Sequence, residues 1–281
     1  MNVLSLSFDR TDEIEIEETF KKINERVLEE KKDIDLIVFP EYWSGNEVYN
    51  KEFIDKMCNH SKILKIYLAF PIYIKDNDKT YNRLHVVSPE GKVVFTYNKI
   101  NLYYKEKNIT NGSKDQKVYW EYKNFKIGFA ICFDINFNNI WSNFDKNDVD
   151  LVIWMSTYVG GRKLKCYAGV YHYYILTSTM QNSAILYDIT GEKISEKKEV
   201  FNFFNIPSKD ERNIYHYNKN IDIILQLKRY LQIEKKYDDE QWLILVRKDE
   251  NNLRDLEKKY SLISLRDYIR YGLNRKDKYK A

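Results

Sequence analysis

The feature of this sequence that most limits its fold is a set of short segments that are apolar from end to end. Residues 36–39, 127–131 and 151–155 contain no charged side chain. Strands with apolar side chains on both faces are typical of sheets that are covered on both sides. Between the first strands, the apolar residues from Ile16 to Val27 recur at spacings of three and four, which indicates a helix. The pattern therefore predicts an α/β fold of layered, mixed sheets.

The best candidate for a domain boundary is Pro207-Ser208. Of the chain's 281 residues, those after this point hold 18 Lys and Arg against 13 Asp and Glu, and the net charge of the whole chain is only +4. Ile221, Ile224, Leu225 and Leu231 form an apolar stripe there at helical spacing. We predict a domain over residues 1–207 and a basic, mainly helical extension over 208–281 that packs on the core or on a dimer partner.

Composition excludes several classes of protein. Cys58, Cys132 and Cys166 are widely spaced, which argues against a disulfide framework or a zinc site. The sequence contains no run of about 18 apolar residues, so it predicts no membrane helix. The start of the chain does not resemble a signal peptide. We expect a cytoplasmic protein without a membrane partner. The mixed charge of the extension favours a solvated surface over a nucleic-acid interface.

Three reactive side chains follow strand-like segments. They are Glu41, Lys99 and Cys132. A thiol can attack a carbonyl carbon, a carboxylate can carry protons and an ammonium can stabilise developing negative charge. Lys99 near the thiol would also favour the thiolate. Each residue alone is more often structural or solvated, because a cysteine in an apolar run is usually a core residue. Together they are the parts of a hydrolase with a thiol nucleophile.

The order of the motifs strengthens this interpretation. Glu41, then Tyr-x-Lys ending at Lys99, then Gly-x-x-x-Cys-x-Asp around Cys132 resembles the nitrilase superfamily of carbon–nitrogen hydrolases. The hairpin before Lys99 and the later Glu106 also resemble that family. The resemblance covers roughly residues 2–206. Asn101 is a departure, since the family often has His at this position, and the family's C-terminal arm pattern is missing.

The resemblance implies an αββα four-layer sandwich, which usually pairs into a homodimer or a higher homo-oligomer. It implies that Cys132 is the nucleophile and that Glu41 is the general base and acid. Lys99 and the backbone N–H of Phe133 would stabilise the oxyanion, and Glu106 would orient the lysine or the substrate. No metal or organic cofactor is needed for this chemistry.

Aromatic and basic side chains near the strand ends are candidates for substrate contacts. Arg162 could bind a carboxylate, although it could equally be solvated. The candidates are Tyr42, Trp43, Tyr103, Trp154, Tyr158 and Arg162.

The predicted reaction is hydrolysis of a small, linear, non-peptide amide through a thioester on Cys132. The residues Cys132-Phe133-Asp134 resemble the amidase branches more than the nitrile-hydrolysing ones. Two alternatives stay open. The same acyl-enzyme could transfer its acyl group to an amine, or the protein could be a catalytically silent binding or regulatory module. The sequence does not identify the substrate.

Overall fold

The computed structural model describes residues 1–12, 14–30, 33–45, 47–248, 250 and 252–278, with the backbone alone for residues 273–278. The chain divides into two compact units, Met1–Ile206 and Pro207–Ala281. Each unit has its own sheets and helices.

The first unit alternates strands and helices along most of its length. Its elements are β1 (Asn2–Leu6), α1 (Ile16–Glu29), β2 (Leu36–Val38), β3 (Val48–Tyr49), α2 (Lys51–Leu64), β4 (Tyr67–Asp76), β5 (Lys79–Val87), β6 (Val93–Asn98), β7 (Tyr119–Tyr122), β8 (Phe125–Ile131), α3 (Asn138–Lys146), β9 (Leu151–Ser156), α4 (Arg162–Tyr171), β10 (Tyr174–Thr179), β11 (Ala184–Tyr187), β12 (Lys193–Lys197) and β13 (Phe201–Asn205).

These strands form two mixed sheets. One has the order β13-β1-β2-β4-β5-β6, with β3 paired to β4, and the other has the order β12-β11-β10-β9-β8-β7. The central pairs β1–β2, β2–β4, β8–β9 and β9–β10 are parallel, and so is the pair β3–β4. The pairs β4–β5, β5–β6, β7–β8, β10–β11 and β11–β12 are antiparallel hairpins, whereas β13 pairs antiparallel with the distant strand β1. The carboxyl ends of parallel strands meet at one edge of a sheet, where ligands commonly bind.

The two sheets pack face to face, and helices cover their other faces. Phe20 of α1 and Met57 of α2 belong to one buried cluster with the first sheet. On the second sheet, the ring of Phe144 in α3 lies directly over Gly128 of β8. Between the sheets, the Ser5 hydroxyl donates a hydrogen bond to the carbonyl of Thr177 at 2.9 Å. The expected αββα sandwich is confirmed.

The composition of residues 170–179 is β-rich, yet only part of this segment is extended. Helix α4 continues to Tyr171. His172 then adopts a left-handed backbone with φ of +53° and ends the helix. Only the second half of the segment, β10, is extended, because its side chains are fully buried between layers, whereas Val170 lies exposed on the helix surface.

The second unit contains a small sheet as well as helices. Its elements are β14 (Arg212–His216), α5 (Tyr217–Gln226), β15 (Leu231–Tyr237), β16 (Trp242–Arg247), α6 (Leu253–Tyr260) and α7 (Leu265–Lys278). The strands form an antiparallel sheet in the order β14-β16-β15. The expectation of a mainly helical extension missed this sheet. The apolar stripe ends with α5, and Leu231 instead begins β15, a strand whose other residues are largely exposed.

The longest helices of the described chain have 14 residues. Among the described residues, no helix combines the length and the apolar character needed to cross a bilayer.

Two isoleucines of the same sheet differ in burial, so we predict that they contribute very differently to the free energy of unfolding. Ile153 is fully buried, whereas Ile194 of β12 is 55% exposed. We expect Ile153→Ala to lower the free energy of unfolding by about 2–5 kcal/mol through lost contacts and a cavity. Ile194→Ala, the matched control, should change it by less than about 0.5 kcal/mol. Urea unfolding measures both, and equal effects would contradict the packing described here.

Candidate active site

The ends of strands β2, β6 and β8 bring three of the predicted site residues to one cavity. Glu41 follows β2 across Phe39-Pro40, Lys99 directly follows β6, and Cys132 directly follows β8. The cavity has a volume of about 900 Å³. Glu41, Lys99, Glu106 and Cys132 all line it, so residues that lie up to 91 positions apart in the chain meet at one place.

Most of the predicted substrate contacts also line this cavity. Tyr42, Trp43, Tyr103 and Tyr158 do so, and so does Phe133, the residue predicted to supply a backbone N–H to the oxyanion. Sequence reasoning missed several further lining residues, because they carry no motif and come from separate loops. These are Arg10, Asp12, Ile14, Ser44, Gly45, Lys105, Asn136, Thr157 and Met180.

Two predicted contacts lie elsewhere. Trp154 is completely buried behind the cavity, and its indole N–H donates a hydrogen bond to the Cys132 carbonyl at 3.1 Å. Trp154 therefore supports the turn that carries the thiol. Arg162 is exposed at the first residue of α4 and does not line the cavity. Of the two interpretations of Arg162, the solvated side chain is the one that fits the structure.

The turn that presents Cys132 has a strained backbone. Cys132 has a φ of +42°, in the left-handed region that non-glycine residues rarely adopt. It opens a short 3-10 helix, Cys132–Asn136, immediately after β8. Such strain persists only where surrounding contacts fix the backbone, and it concentrates at functional sites.

Asp134 fixes this turn to the loop that carries Lys99. Its carboxylate is fully buried and accepts hydrogen bonds from the Tyr97 hydroxyl at 2.7 Å, from the Asn101 backbone N–H at 2.8 Å and from the Ile131 backbone N–H at 3.2 Å. Burial raises the pKa of Asp134 above its usual range. The Asn101 side chain adds a further hydrogen bond at 3.1 Å, so the residue that departs from the family pattern takes part in this connection.

Lys99 lies between two glutamates and is only 1% exposed. Its ammonium is 2.8 Å from Glu41 Oε1 and 2.8 Å from Glu106 Oε2. Burial by itself favours the neutral amine, but the carboxylates of Glu41 and Glu106 raise the pKa of Lys99 above its ordinary value. The lysine therefore stays charged within the protein.

Glu106 is held by several donors besides Lys99. The backbone N–H of Tyr103 donates to it at 2.7 Å, the Tyr73 hydroxyl at 3.0 Å and the Asn82 amide at 3.1 Å. Burial favours the protonated acid, but Lys99 and these hydrogen bonds lower the pKa of Glu106 below its ordinary value. Glu106 is thus a fixed carboxylate at the base of the cavity.

Lys99 favours the thiolate of Cys132, as expected, but two other effects oppose it more strongly. Burial and the nearby Glu41 charge raise the pKa of Cys132 to about 12, against the lowering effect of Lys99. The resting sulfur is therefore a protonated thiol at neutral pH. A group that removes its proton during attack is needed, and Glu41 is close enough to influence that proton.

Among the described residues, no cluster of three or more His, Cys, Asp or Glu side chains has the arrangement to hold a metal ion.

The model of the carbon–nitrogen hydrolase family matches residues 12–176. The chain is similar to omega-amidase NIT3 of Saccharomyces cerevisiae, with 24% identity over 140 residues that cover 40% of this chain and 47% of the relative. It is also similar to 2-oxoglutaramate amidase of Bacillus subtilis, with 25% identity over 136 residues, 43% of this chain and 51% of the relative. The chain spans about half the length of these curated relatives.

Solved structures with the same fold include a nitrilase-superfamily amidase from Nesterenkonia sp. AN1. One form of it carries the acetamide moiety of fluoroacetamide on its active-site cysteine. This chain superposes on that form with a TM-score of 0.64 and 11% identity, covering 74% of this chain and 90% of the other. Nit3 of Saccharomyces cerevisiae, described as a member of branch 10 of the nitrilase superfamily, gives a TM-score of 0.61 and 18% identity, with coverages of 72% and 88%.

The cause of the high Cys132 pKa can be tested directly. The Glu41 charge disfavours the thiolate, so replacing it with the neutral Glu41→Gln should lower the pKa of Cys132 from about 12 by about 1–3 pH units. Ultraviolet absorbance of the thiolate during a pH titration, after subtraction of the Cys132→Ala spectrum, measures this value. Glu121→Gln on the exposed surface of β7 is the control and should leave it unchanged. An unchanged or raised value in Glu41→Gln would contradict the electrostatic account.

Proposed function

The chain belongs to the carbon–nitrogen hydrolase family, and we propose from that premise that it hydrolyses a small linear amide through a thioester on Cys132. The observation that supports this most strongly is the meeting of a thiol, a charged lysine and two carboxylates at one cavity. Each group there has a chemical task in amide cleavage. The amidase names of the curated relatives point to the same reaction.

In the first step, Glu41 accepts the proton of the Cys132 thiol while the sulfur attacks the carbonyl carbon of the amide. The carbonyl oxygen becomes negatively charged. Lys99 and the backbone N–H of Phe133 stabilise this charge. Phe133 is the second residue of the 3-10 helix, and the first N–H groups of a helix have no acceptor within it.

In the second step, the tetrahedral intermediate collapses and its carbon–nitrogen bond breaks. Glu41 returns the proton to the leaving nitrogen, so ammonia or an amine departs and an acyl thioester remains on Cys132. Water then attacks the thioester, with Glu41 taking its proton. The carboxylic acid is released, and the thiol recovers its proton from Glu41.

Glu106 acts through Lys99 in this mechanism. Its short ion pair with the ammonium fixes the lysine beside Cys132 and keeps it charged. A charged, desolvated lysine stabilises an oxyanion more strongly than a solvated one, because the local dielectric constant is low. Glu106 is therefore a positioning residue.

The preferred substrate in our proposal is an amide that also bears a carboxylate. One curated relative is named for 2-oxoglutaramate, which is such a compound. Arg10 and Lys105 line the cavity and supply positive charge. The Arg10 guanidinium donates from Nε and Nη2 to the Thr157 carbonyl, at 3.0 and 2.6 Å, which fixes its orientation.

Three further expectations stay predictions. They are the pairing of two sandwiches into a dimer, the packing of residues 208–281 on the core or on that partner, and a cytoplasmic location. Analytical ultracentrifugation of the full chain tests the first of them, since a dimer has twice the chain's mass of 34.0 kDa.

Loss of the nucleophile should abolish turnover. We expect Cys132→Ala to reduce ammonia release from small amides by about 1,000-fold or more. Cys166→Ala is the matched control, because Cys166 is an exposed cysteine on α4, outside the cavity. Its activity should equal that of the unmodified protein. Undiminished ammonia release in Cys132→Ala would contradict the mechanism.

The charge of the substrate provides a second test. Arg10→Gln should raise the KM for succinamic acid by about tenfold or more, because a charge-assisted hydrogen bond is lost. The KM for butyramide, which has no carboxylate, should not change. Arg162→Gln, at an exposed arginine outside the cavity, is the control for both substrates. Equal effects of Arg10→Gln on the two amides would contradict the proposed substrate class.

A further inference from the structure

Asn82 of β5 lies between the two buried glutamates of the cavity. Its Nδ2 donates hydrogen bonds to Glu41 Oε1 at 3.0 Å and to Glu106 Oε1 at 3.1 Å. The residue is 3% exposed and does not line the cavity. An amide nitrogen has two hydrogens, so this one group can serve both carboxylates at once.

The same residue also fixes the backbone of Lys99. The carbonyl of Asn82 accepts a hydrogen bond from the Lys99 backbone N–H at 2.9 Å. This bond continues the pairing of β5 with β6, in which Arg83 lies opposite Asn98. Asn82 therefore contacts Glu41, Lys99 and Glu106, although it touches none of the space that a substrate would fill.

The hydrogen bonds leave the two oxygens of Glu41 in different situations. Oε1 accepts from Lys99 at 2.8 Å and from Asn82 at 3.0 Å. Oε2 is buried and has no hydrogen-bond partner among the described residues. A buried carboxylate oxygen without a partner is costly, which suggests that its position is kept for a proton that arrives during the reaction.

We propose that Asn82 is a positioning residue that holds Glu41 through Oε1 and so reserves Oε2 for the proton of the Cys132 thiol. This inference rests on the proposed function. Lys99 alone cannot fill the role, because its ammonium must also bind the oxyanion. The Asn82 amide keeps the two carboxylates connected while the lysine serves the substrate, and it does so without adding charge.

Asn202 provides the matched control for a merely structural asparagine. It is fully buried, and its Nδ2 donates to the Ser5 carbonyl at 3.2 Å and to the Glu199 carbonyl at 2.6 Å. It contacts no residue of the cavity through these bonds. Asn202→Leu therefore reports the effect of removing a buried amide on folding alone.

The experiment measures kcat, KM and the rate of Cys132 alkylation by iodoacetamide at neutral pH, each per folded molecule. In Asn82→Leu, we expect kcat and the alkylation rate to fall by about 10- to 100-fold, with KM nearly unchanged. Asn82→Ser retains one hydrogen-bond donor, so its kcat and alkylation rate should lie between those of Asn82→Leu and those of the unmodified protein. If Asn82→Leu does not fold, the kcat and alkylation rate of Asn82→Ser test the role of Asn82 instead. Asn202→Leu should keep the kcat and the alkylation rate of the unmodified protein.

Two kinds of result overturn the inference, and they are distinguishable. If the unmodified protein is active but the Asn82 variants keep its kcat and alkylation rate, or lose them no more than Asn202→Leu does, Asn82 is only structural. If the unmodified protein releases no ammonia, or Cys132→Ala remains active, the proposed function itself fails and the inference fails with it.

Discussion

The structure of the candidate site depends on one buried charge, the ammonium of Lys99 between the carboxylates of Glu41 and Glu106. Removing three charged groups from water is expensive, and removal of one partner from such a group typically costs about 3–5 kcal/mol. Their arrangement therefore requires good geometry and additional hydrogen bonds. Asn82 and the Tyr103 backbone supply these bonds, at distances of 2.7–3.1 Å. These bonds fix the positions of the charged groups, and the oxyanion stabilisation that we propose needs groups that do not reorganise during the reaction.

A second constraint connects this charged group to the thiol. Asp134 joins the loop after Lys99 to the turn that begins at Cys132, and both segments lie at the ends of strands. The positive φ of Cys132 is tolerated because the turn is fixed from both sides, by Asp134 and by the hydrogen bond from Trp154. The sulfur, held as a thiol by burial and by Glu41, depends on a base for attack. The carboxylate that disfavours the thiolate at rest is thus also the group that can take the proton.

Much of this arrangement could be predicted from the sequence, because apolar runs mark where strands end and the motifs follow those ends. Glu41, Lys99 and Cys132 could be recognised together for that reason. The contacts of Asn82 could not, since Glu41 lies 41 residues away in the chain and no local pattern marks the pairing. The protonation of Cys132 depends on a balance of burial and charge that exists only in the folded protein. The sheet of the second unit was missed because the charged, exposed strand Leu231–Tyr237 lacks the alternation of a half-buried strand.

In the proposed reaction, the acyl group of the substrate is bound covalently to the Cys132 sulfur before it is released. Intact-protein mass spectrometry after acid quenching of a reaction with a small amide tests this step directly, when followed by peptide mapping. We expect a mass increase that corresponds to the acyl group without its amine, located on the peptide that contains Cys132 and absent from Cys132→Ala. Turnover of the amide without any adduct on that peptide, or with the adduct on Cys58 or Cys166, would contradict the proposed reaction.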